Sequence, residues 1–405
     1  MVAGRKFLVR LLFAVLATAP AFARPPIAQP PVAVQRGISD SGPDASLEYV
    51  FTEIEANRLD SALERTEALI RAYPNFRLAH LIKGDLLLAR AKPLTTFGNA
   101  PAPAERVRDL REEAIARLQA YRERPTTSKY IPRYLLQMSP DQRYAIVVDS
   151  KRARLYVYAN EAGKPRFVAD YYVSHGKGGV DKRNEGDNKT PLGVYQVTSF
   201  IEQAKLPDLY GSGAFPINYP NEWDRRQGRT GHGIWLHGTQ SDTYSRAPLA
   251  SEGCVTMSNQ DFLKISNFVQ VGLTPVIISN EIEWLSLDDW QSERKNLQET
   301  IEHWRRDWES VDVDRYLSHY SKDFRSDQQD LAAWAAQKRN VALSRKWIKV
   351  NLDKLSMFRN PGREDMVVVT FEQDYRSDGI SDRIRKRQYW LKEGGRWKIV
   401  YEGKA

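Results

Sequence analysis

Between Tyr144 and Ser279 glycine and proline cut the chain into short runs rich in Val, Ile, Tyr and Thr. "YAIVVDSKRARLYVY" reads as two strands joined by a polar turn. "KPRFVADYYVSHGKGG", "TPLGVYQVTSF", "GIWLHGT", "CVTM" and "TPVIIS" follow. Short strands bounded by turn formers predict a mainly-β domain over residues 140–283. "NQDFLKISNFV" is its one helical pattern, with Asn259 as candidate cap.

The flanks have other periods. Over residues 44–125 the pattern is helical: Leu47, Val50, Phe51 and Ile54 share a face, as do Leu59, Leu63, Ala68 and Leu69. Asn57 or Asp60 is placed to cap the second helix. Tyr73-Pro74-Asn75-Phe76 breaks it, and a third helix runs over Ala79–Ala91. This unit resembles one tetratricopeptide-type repeat, and one repeat is too few for a solenoid. It reads either as a docking face for a partner or as a cap packed on the β domain. From Trp284 a long amphipathic helical stretch precedes a further helix and three alternating strand runs. Helices followed by an antiparallel sheet predict an α+β domain over residues 290–405. The expected fold class is therefore multidomain α+β.

The chain opens with a basic segment (Arg5, Lys6, Arg10), an apolar run from Leu11 to Ala19, and Ala21-Phe22-Ala23. Residues 1–23 read as a secretory signal peptide, followed by a Pro-, Ala- and Gly-rich linker over 24–43. The apolar run is shorter than the roughly 20 residues of a membrane span. Export with no span after cleavage is expected, and an uncleaved anchor is the alternative. The net charge of +9 comes from 60 Lys+Arg against 51 Asp+Glu with both signs interspersed, which argues against a nucleic-acid arm. A mildly basic exported protein suits an anionic envelope polymer or membrane surface, and an ordinary solvated surface accounts for the excess equally well.

Export sharpens the meaning of Cys254, the only cysteine. Oxidising compartments favour paired cysteines, and one cysteine makes no internal disulfide. Cys254 is thus a reactive thiol, an intermolecular partner, or a small buried hydrophobe. A useful thiol needs a base or a helix N-terminus beside it. Gly253 lets the backbone approach closely, and a helix begins a few residues downstream. His237 follows the strand Ile234-Trp235-Leu236 and precedes Gly238, so His237 and Cys254 form a candidate pair on neighbouring strands. His175, in a turn, and His232 read as structural or surface groups. His80, His303 and His319 lie outside the β domain. No Cys/His cluster has metal spacing and "GKGG" alone is a weak phosphate signal, so neither metal nor cofactor is expected.

"IWLHGT" followed by "SEGCVTM", with "SHGKGG" and "GDNKTPLGVYQV" upstream, resembles the signature of the L,D-transpeptidase (YkuD) family. The resemblance covers residues 140–283. It implies a β-sandwich-like catalytic domain acting on peptidoglycan stem peptides in the periplasm. It makes Cys254 the nucleophile and His237 the base, with a main-chain carbonyl near Gly238 orienting the imidazole. The N–H groups of Gly253 and Cys254 would form the oxyanion hole, and Ser251 would shape the turn. Many members read Ser-His-Gly-Cys with an arginine two residues after the cysteine, whereas this chain has Glu252 and Thr256. Lys177, Arg229 and Arg246 are the candidates to receive the substrate carboxylate in its place, with Trp235 a further substrate contact.

"WRRDWESVDVDRYLSHYSKDF" resembles the opening of an NTF2-like (SnoaL-like) domain, a cone of curved sheet and helices. Trp304, Trp308, Tyr316, Trp334, Trp390 and Trp397 read as its core or as a ligand box. The combination resembles cell-shape-determining peptidoglycan enzymes. It implies a thioester with a tetrapeptide stem, resolved by an amine to give a cross-link. Resolution by water would make an L,D-carboxypeptidase that trims to tripeptide. A catalytically idle peptidoglycan-binding protein is the reading from another class, and the intact His237 and Cys254 oppose it. An envelope protein partner would dock through the helical or the NTF2-like region.

Overall fold

The computed structural model describes residues 42–93, 96–99 and 103–405. The signal peptide and nearly all of the linker lie outside the described residues. No helix among the described residues is long and apolar enough to cross a membrane.

The chain first forms α1 (Pro43–Glu55), α2 (Leu59–Ala72), α3 (Arg77–Ala89) and α4 (Ala104–Arg122). Pro43 sits in the first turn of α1, where its missing N–H is no loss. Leu47, Val50, Leu69, Leu78 and Ile82 close the core between them. Neither expected cap holds α2: Arg58 stands at its N-cap without a side-chain bond. Asn57 instead takes the left-handed conformation (φ 57°) that ends α1, a conformation asparagine tolerates better than most residues. The likeness of these helices to a tetratricopeptide unit rests on the sequence pattern alone.

The helical module meets the β domain through buried charge. Arg117 on α4 bonds Glu113 (2.8 Å) and Asp44 (2.7 Å). Asp44 also takes Arg154 of the β domain (2.5 Å), which is in turn paired with Asp170. Each of these side chains is nearly or wholly buried, so deleting one partner strands a charge, at a cost of about 3–5 kcal/mol.

Two short strands, β1 (Tyr130–Pro132) and β2 (Leu135–Gln137), precede the β domain proper. There follow β3 (Tyr144–Asp149), β4 (Arg154–Glu161), β5 (Lys164–Tyr172), β6 (His175–Gly176), β7 (Gly193–Gln196), β8 (Ile201–Glu202) and β9 (Gly213–Pro216). Then come α5 (Glu222–Arg226), β10 (Trp235–His237), β11 (Leu249–Ser251), β12 (Val255–Thr256), α6 (Asn259–Ser266) and β13 (Pro275–Ser279). One sheet has the order β5-β4-β3-β13-β7 and the other β12-β10-β9-β8, while β6 and β11 form a two-stranded pair. Ile146, Val148, Leu155 and Val157 of the first sheet face Phe215, Leu236 and Val255 of the second, with Phe262 and Ile265 of α6.

The other face of the first sheet is buried too. Ala145, Val147, Tyr156, Tyr158 and Ile277 belong to a core shared with Trp290, Leu297, Ile301 and Trp304 of the C-terminal domain. Burial on both faces explains why "YAIVV" is a continuous apolar run rather than an alternation.

The C-terminal domain comprises β14 (Trp284–Ser286), α7 (Leu287–Glu309), α8 (Val313–Leu317), β15 (Tyr320–Ser326), α9 (Leu331–Ser344), β16 (Ile348–Arg359), β17 (Met366–Ser377), β18 (Ile380–Glu393) and β19 (Arg396–Lys404). Its sheet runs β15-β19-β18-β17-β16-β2, so its last strand comes from the chain ahead of the β domain. β1 pairs with β14, bracketing the same insertion. Trp290 Nε1 donates to the Leu135 carbonyl (2.7 Å) across this junction. Trp304, Trp308, Tyr316, Trp334 and Trp390 are buried in the core and Trp397 packs on it. Helix α5 leans on the same domain: Arg387 bonds Glu222 (2.8 Å) and Trp223 stacks on Tyr389 (5.8 Å).

Candidate active site

Strands β10 and β12 pair in parallel, Leu236 beside Val255 and His237 beside Thr256. Leu236 and Val255 point into the core. Because side chains alternate along a strand, Trp235, His237, Cys254 and Thr256 belong to the opposite face. The local register thus brings the one cysteine and His237 to one surface.

The turn before Cys254 is built for close approach. Gly253 has φ +127°, and a Cβ on it would lie 2.7 Å from the Lys189 carbonyl oxygen. Its N–H donates to Ser251 Oγ (3.1 Å), and that hydroxyl donates to the Cys254 carbonyl (2.6 Å). Thr190 Oγ1 donates to the Gly253 carbonyl (2.9 Å). The Gly253 N–H expected in the oxyanion hole is therefore already engaged. Of the expected pair, the Cys254 N–H has no partner among the described residues.

His237 is buried, and its Nδ1 lies 2.7 Å from the Gly238 carbonyl. A carbonyl only accepts, so Nδ1 carries the proton and Nε2 presents its lone pair. Burial pulls the imidazole pKa down to about 4; the Gly238 bond raises it and Arg246 lowers it further. Asn259 fixes this turn. Its Oδ1 accepts from the N–H groups of Ser212 (2.9 Å) and Thr239 (3.2 Å), and its Nδ2 donates to the Thr239 carbonyl (2.8 Å). Asn259 was expected to cap α6, but Ser258 does so, accepting from the Asp261 N–H. An asparagine after a serine carries no local signal of this role, because its partners are 20 and 47 residues away.

Cys254 is half-buried, and its thiol faces the Gly233 carbonyl (3.4 Å). Burial pushes its pKa up to about 11, opposed by the Trp235 N–H and by Arg246. The resting pair is a neutral thiol and a neutral imidazole. Tyr210, unmarked in the sequence, lays its ring 4.9 Å from both Trp235 and His237. Burial raises its pKa, with Cys254 the next cause.

The three candidate cations part company. Arg246 acts electrostatically on both Cys254 and His237. Its Nε bonds Thr239 Oγ1 and its Nη2 the Leu209 carbonyl (both 3.0 Å). Lys177 is exposed and pairs with Glu252 (3.4 Å), next to the cysteine turn. Arg229 is tied to Asp181 (2.9 Å) and to the Lys182 carbonyl (3.0 Å), which leaves it a scaffold of the 181–187 loop. His175 lies not in a turn but on β6, buried, with Nε2 on the Ser150 carbonyl (2.9 Å). His232 is exposed beside Glu185.

Residues 143–278 match the L,D-transpeptidase catalytic domain (YkuD), and residues 296–403 the Cds6 C-terminal NTF2-like domain. The "Putative L,D-transpeptidase YafK" of Escherichia coli K12 is 28% identical over 145 residues, covering 36% of this chain and 54% of the relative. The chain thus spans about half the length of that curated protein. The structure of Bd1075 from Bdellovibrio bacteriovorus is 31% identical with a TM-score of 0.62, covering 68% of this chain and 98% of that one. Pgp2, a helical cell shape determining protein from Campylobacter jejuni, is 26% identical with a TM-score of 0.56, covering 66% and 95%. Helices α1–α4 lie outside both domain matches.

Proposed function

The chain belongs to the L,D-transpeptidase (YkuD) family and carries an NTF2-like domain behind its catalytic domain, and from that premise we propose that it is an exported cysteine acyltransferase of peptidoglycan stem peptides. The observation that carries this reading is the orientation of His237. Its Nδ1–H is held by the Gly238 carbonyl, on the strand that pairs beside Cys254. This is the geometry of a base whose tautomer is fixed by a third group.

The thiol proton passes to His237 Nε2 as sulfur adds to the carbonyl between the third and fourth residues of a tetrapeptide stem. The Cys254 N–H meets the developing oxyanion. The C–N bond breaks, the imidazolium protonates the departing amine of the terminal residue, and a thioester remains. An amine of a neighbouring stem adds to the thioester and gives a proton to His237; the C–S bond breaks, the sulfur takes that proton back from the imidazolium, and a cross-link remains. Because both groups start neutral, the proton moves during attack rather than before it. Arg246 is placed to receive the carboxylate of the donor stem.

A second reading puts water in place of the amine, giving a carboxypeptidase. A trimming enzyme would fit a role in cell shape, the property for which Pgp2, a structure similar to this one, is named. Incubating purified protein with disaccharide tetrapeptide and weighing the products separates the two: a cross-linked dimer supports transfer, a tripeptide supports trimming. Turnover that survives Cys254→Ala would sink both.

A further inference from the structure

The segment between the two reacting residues does not stand alone. Residues 241–245 run along the helical module. Asn75 Nδ2 donates to the Ser241 carbonyl (2.9 Å), and the Tyr244 N–H donates to the Asn75 carbonyl (3.2 Å). The Tyr244 ring is buried in the helical core, 4.8 Å from both Tyr73 and Phe76. Ser245 Oγ donates to Glu113 Oε1 (2.6 Å), and Glu113 is fixed by Arg117. The next residue is Arg246. Its carbonyl accepts from Tyr172 Oη (2.8 Å) and Ser174 Oγ (3.1 Å), and the Arg117 guanidinium lies 3.8 Å over the Tyr172 ring. The Arg246 segment is therefore held on one side by Tyr172 and Ser174 and on the other by the α2–α3 turn and α4.

We propose that the helical module is part of the active site's construction: through Asn75, Glu113 and Ser245 it sets the segment that stations Arg246 against Thr239 and Leu209, at the turns flanking His237, where Arg246 selects an anionic, carboxylate-bearing donor. Asn75, Glu113 and Ser245 are positioning residues. Asn75 and Glu113, which set that segment, lie outside both matched domains. It rests on the reading of Cys254 as the reacting thiol. The buried charge between the modules fits the role, since paired buried ions specify one register rather than a sliding contact.

The test alkylates the single cysteine of the full-length protein with iodoacetate and with iodoacetamide. The ratio of the two rates cancels the thiolate fraction, so it reads the local cation and not the thiol's acidity. Arg246→Gln should lower the iodoacetate:iodoacetamide ratio about three- to ten-fold, the scale of a near, partly screened charge. Ser245→Ala and Glu113→Gln should lower it by at least half of that on a logarithmic scale. Ser245→Thr, which keeps the hydroxyl, should restore it. Thermal melting checks each fold. If Glu113→Gln does not fold, Ser245→Ala against Ser245→Thr decides. A wild-type ratio in Ser245→Ala, or in Arg246→Gln, overturns the proposal. Turnover of tetrapeptide by Cys254→Ala tests the underlying reading separately, because the ratio needs no turnover.

Discussion

Asn259 Oδ1 stands 2.2 Å from where a Cβ on Gly238 would be. The glycine beside the base is thus fixed by an asparagine in the next helix. The same oxygen bonds two backbone N–H groups of neighbouring turns, so the carbonyl that orients His237 has a rigid seat.

Asn259→Ala removes the acceptor for two N–H groups and one donor. At about 1 kcal/mol per net hydrogen bond, melting should fall by the equivalent of about 2–3 kcal/mol. Acylation by a β-lactam of the carbapenem type should slow about ten-fold or more through loss of imidazole orientation. A variant that melts early but acylates at the normal rate would show that the turn is scaffold only.

His237→Gln should slow acylation by about 10² or more while leaving the thiol in place, the usual contribution of a positioned base. Stopped mixing followed by mass spectrometry of the adduct reads this directly. His232→Gln, at an exposed side chain paired among the described residues only with Glu185, should leave the rate unchanged.

Two pH dependences follow from burial. Iodoacetamide alkylation of Cys254 should keep rising through pH 8–10, with no plateau near neutrality, because the thiol pKa is pushed up to about 11. The second concerns stability. His237 is held at about 4 against an ordinary 6.5. The unfolded chain therefore binds the proton first, and stability falls as pH drops from 6.5 towards 4. The loss from this group is about 3 kcal/mol when complete. Urea titrations of wild type and His237→Gln at pH 7 and pH 4.5 should differ by most of that amount.

Ending the chain near residue 285 should not leave a well-folded catalytic domain. Ala145, Val147, Tyr156 and Tyr158 would lose the cover of Trp290, Leu297, Ile301 and Trp304. The truncated protein should aggregate or bind a hydrophobic dye. In the full chain, Trp304→Ala should cost about 3–5 kcal/mol on melting, as for a fully buried tryptophan.

The β domain was legible because its strands announce themselves in Val, Ile and Tyr runs cut by glycine, and the Ser-x-Gly-Cys turn marks its own chemistry. Even the left-handed Gly253 was implied by its type. The long-range partners were not legible. Nothing local in "YPNF" says that Asn75 grips residue 241, and nothing in "YIPRYLLQ" says that these residues strap two domains together. The acidity of Cys254 was also hidden. A motif names the thiol, but the raised pKa comes from packing that only the assembled sheets supply.

The strand contributed by Leu135–Gln137 to the C-terminal sheet makes the catalytic unit an insert: both of its ends are sewn into the domain that follows it. A linker of one strand would permit swivelling, but two seams do not. The distance from the thiol to anything gripped by the C-terminal domain is then fixed like the jaws of a caliper. On the proposed function, lengthening either seam should change which stems the thiol reaches before it changes how fast it reacts.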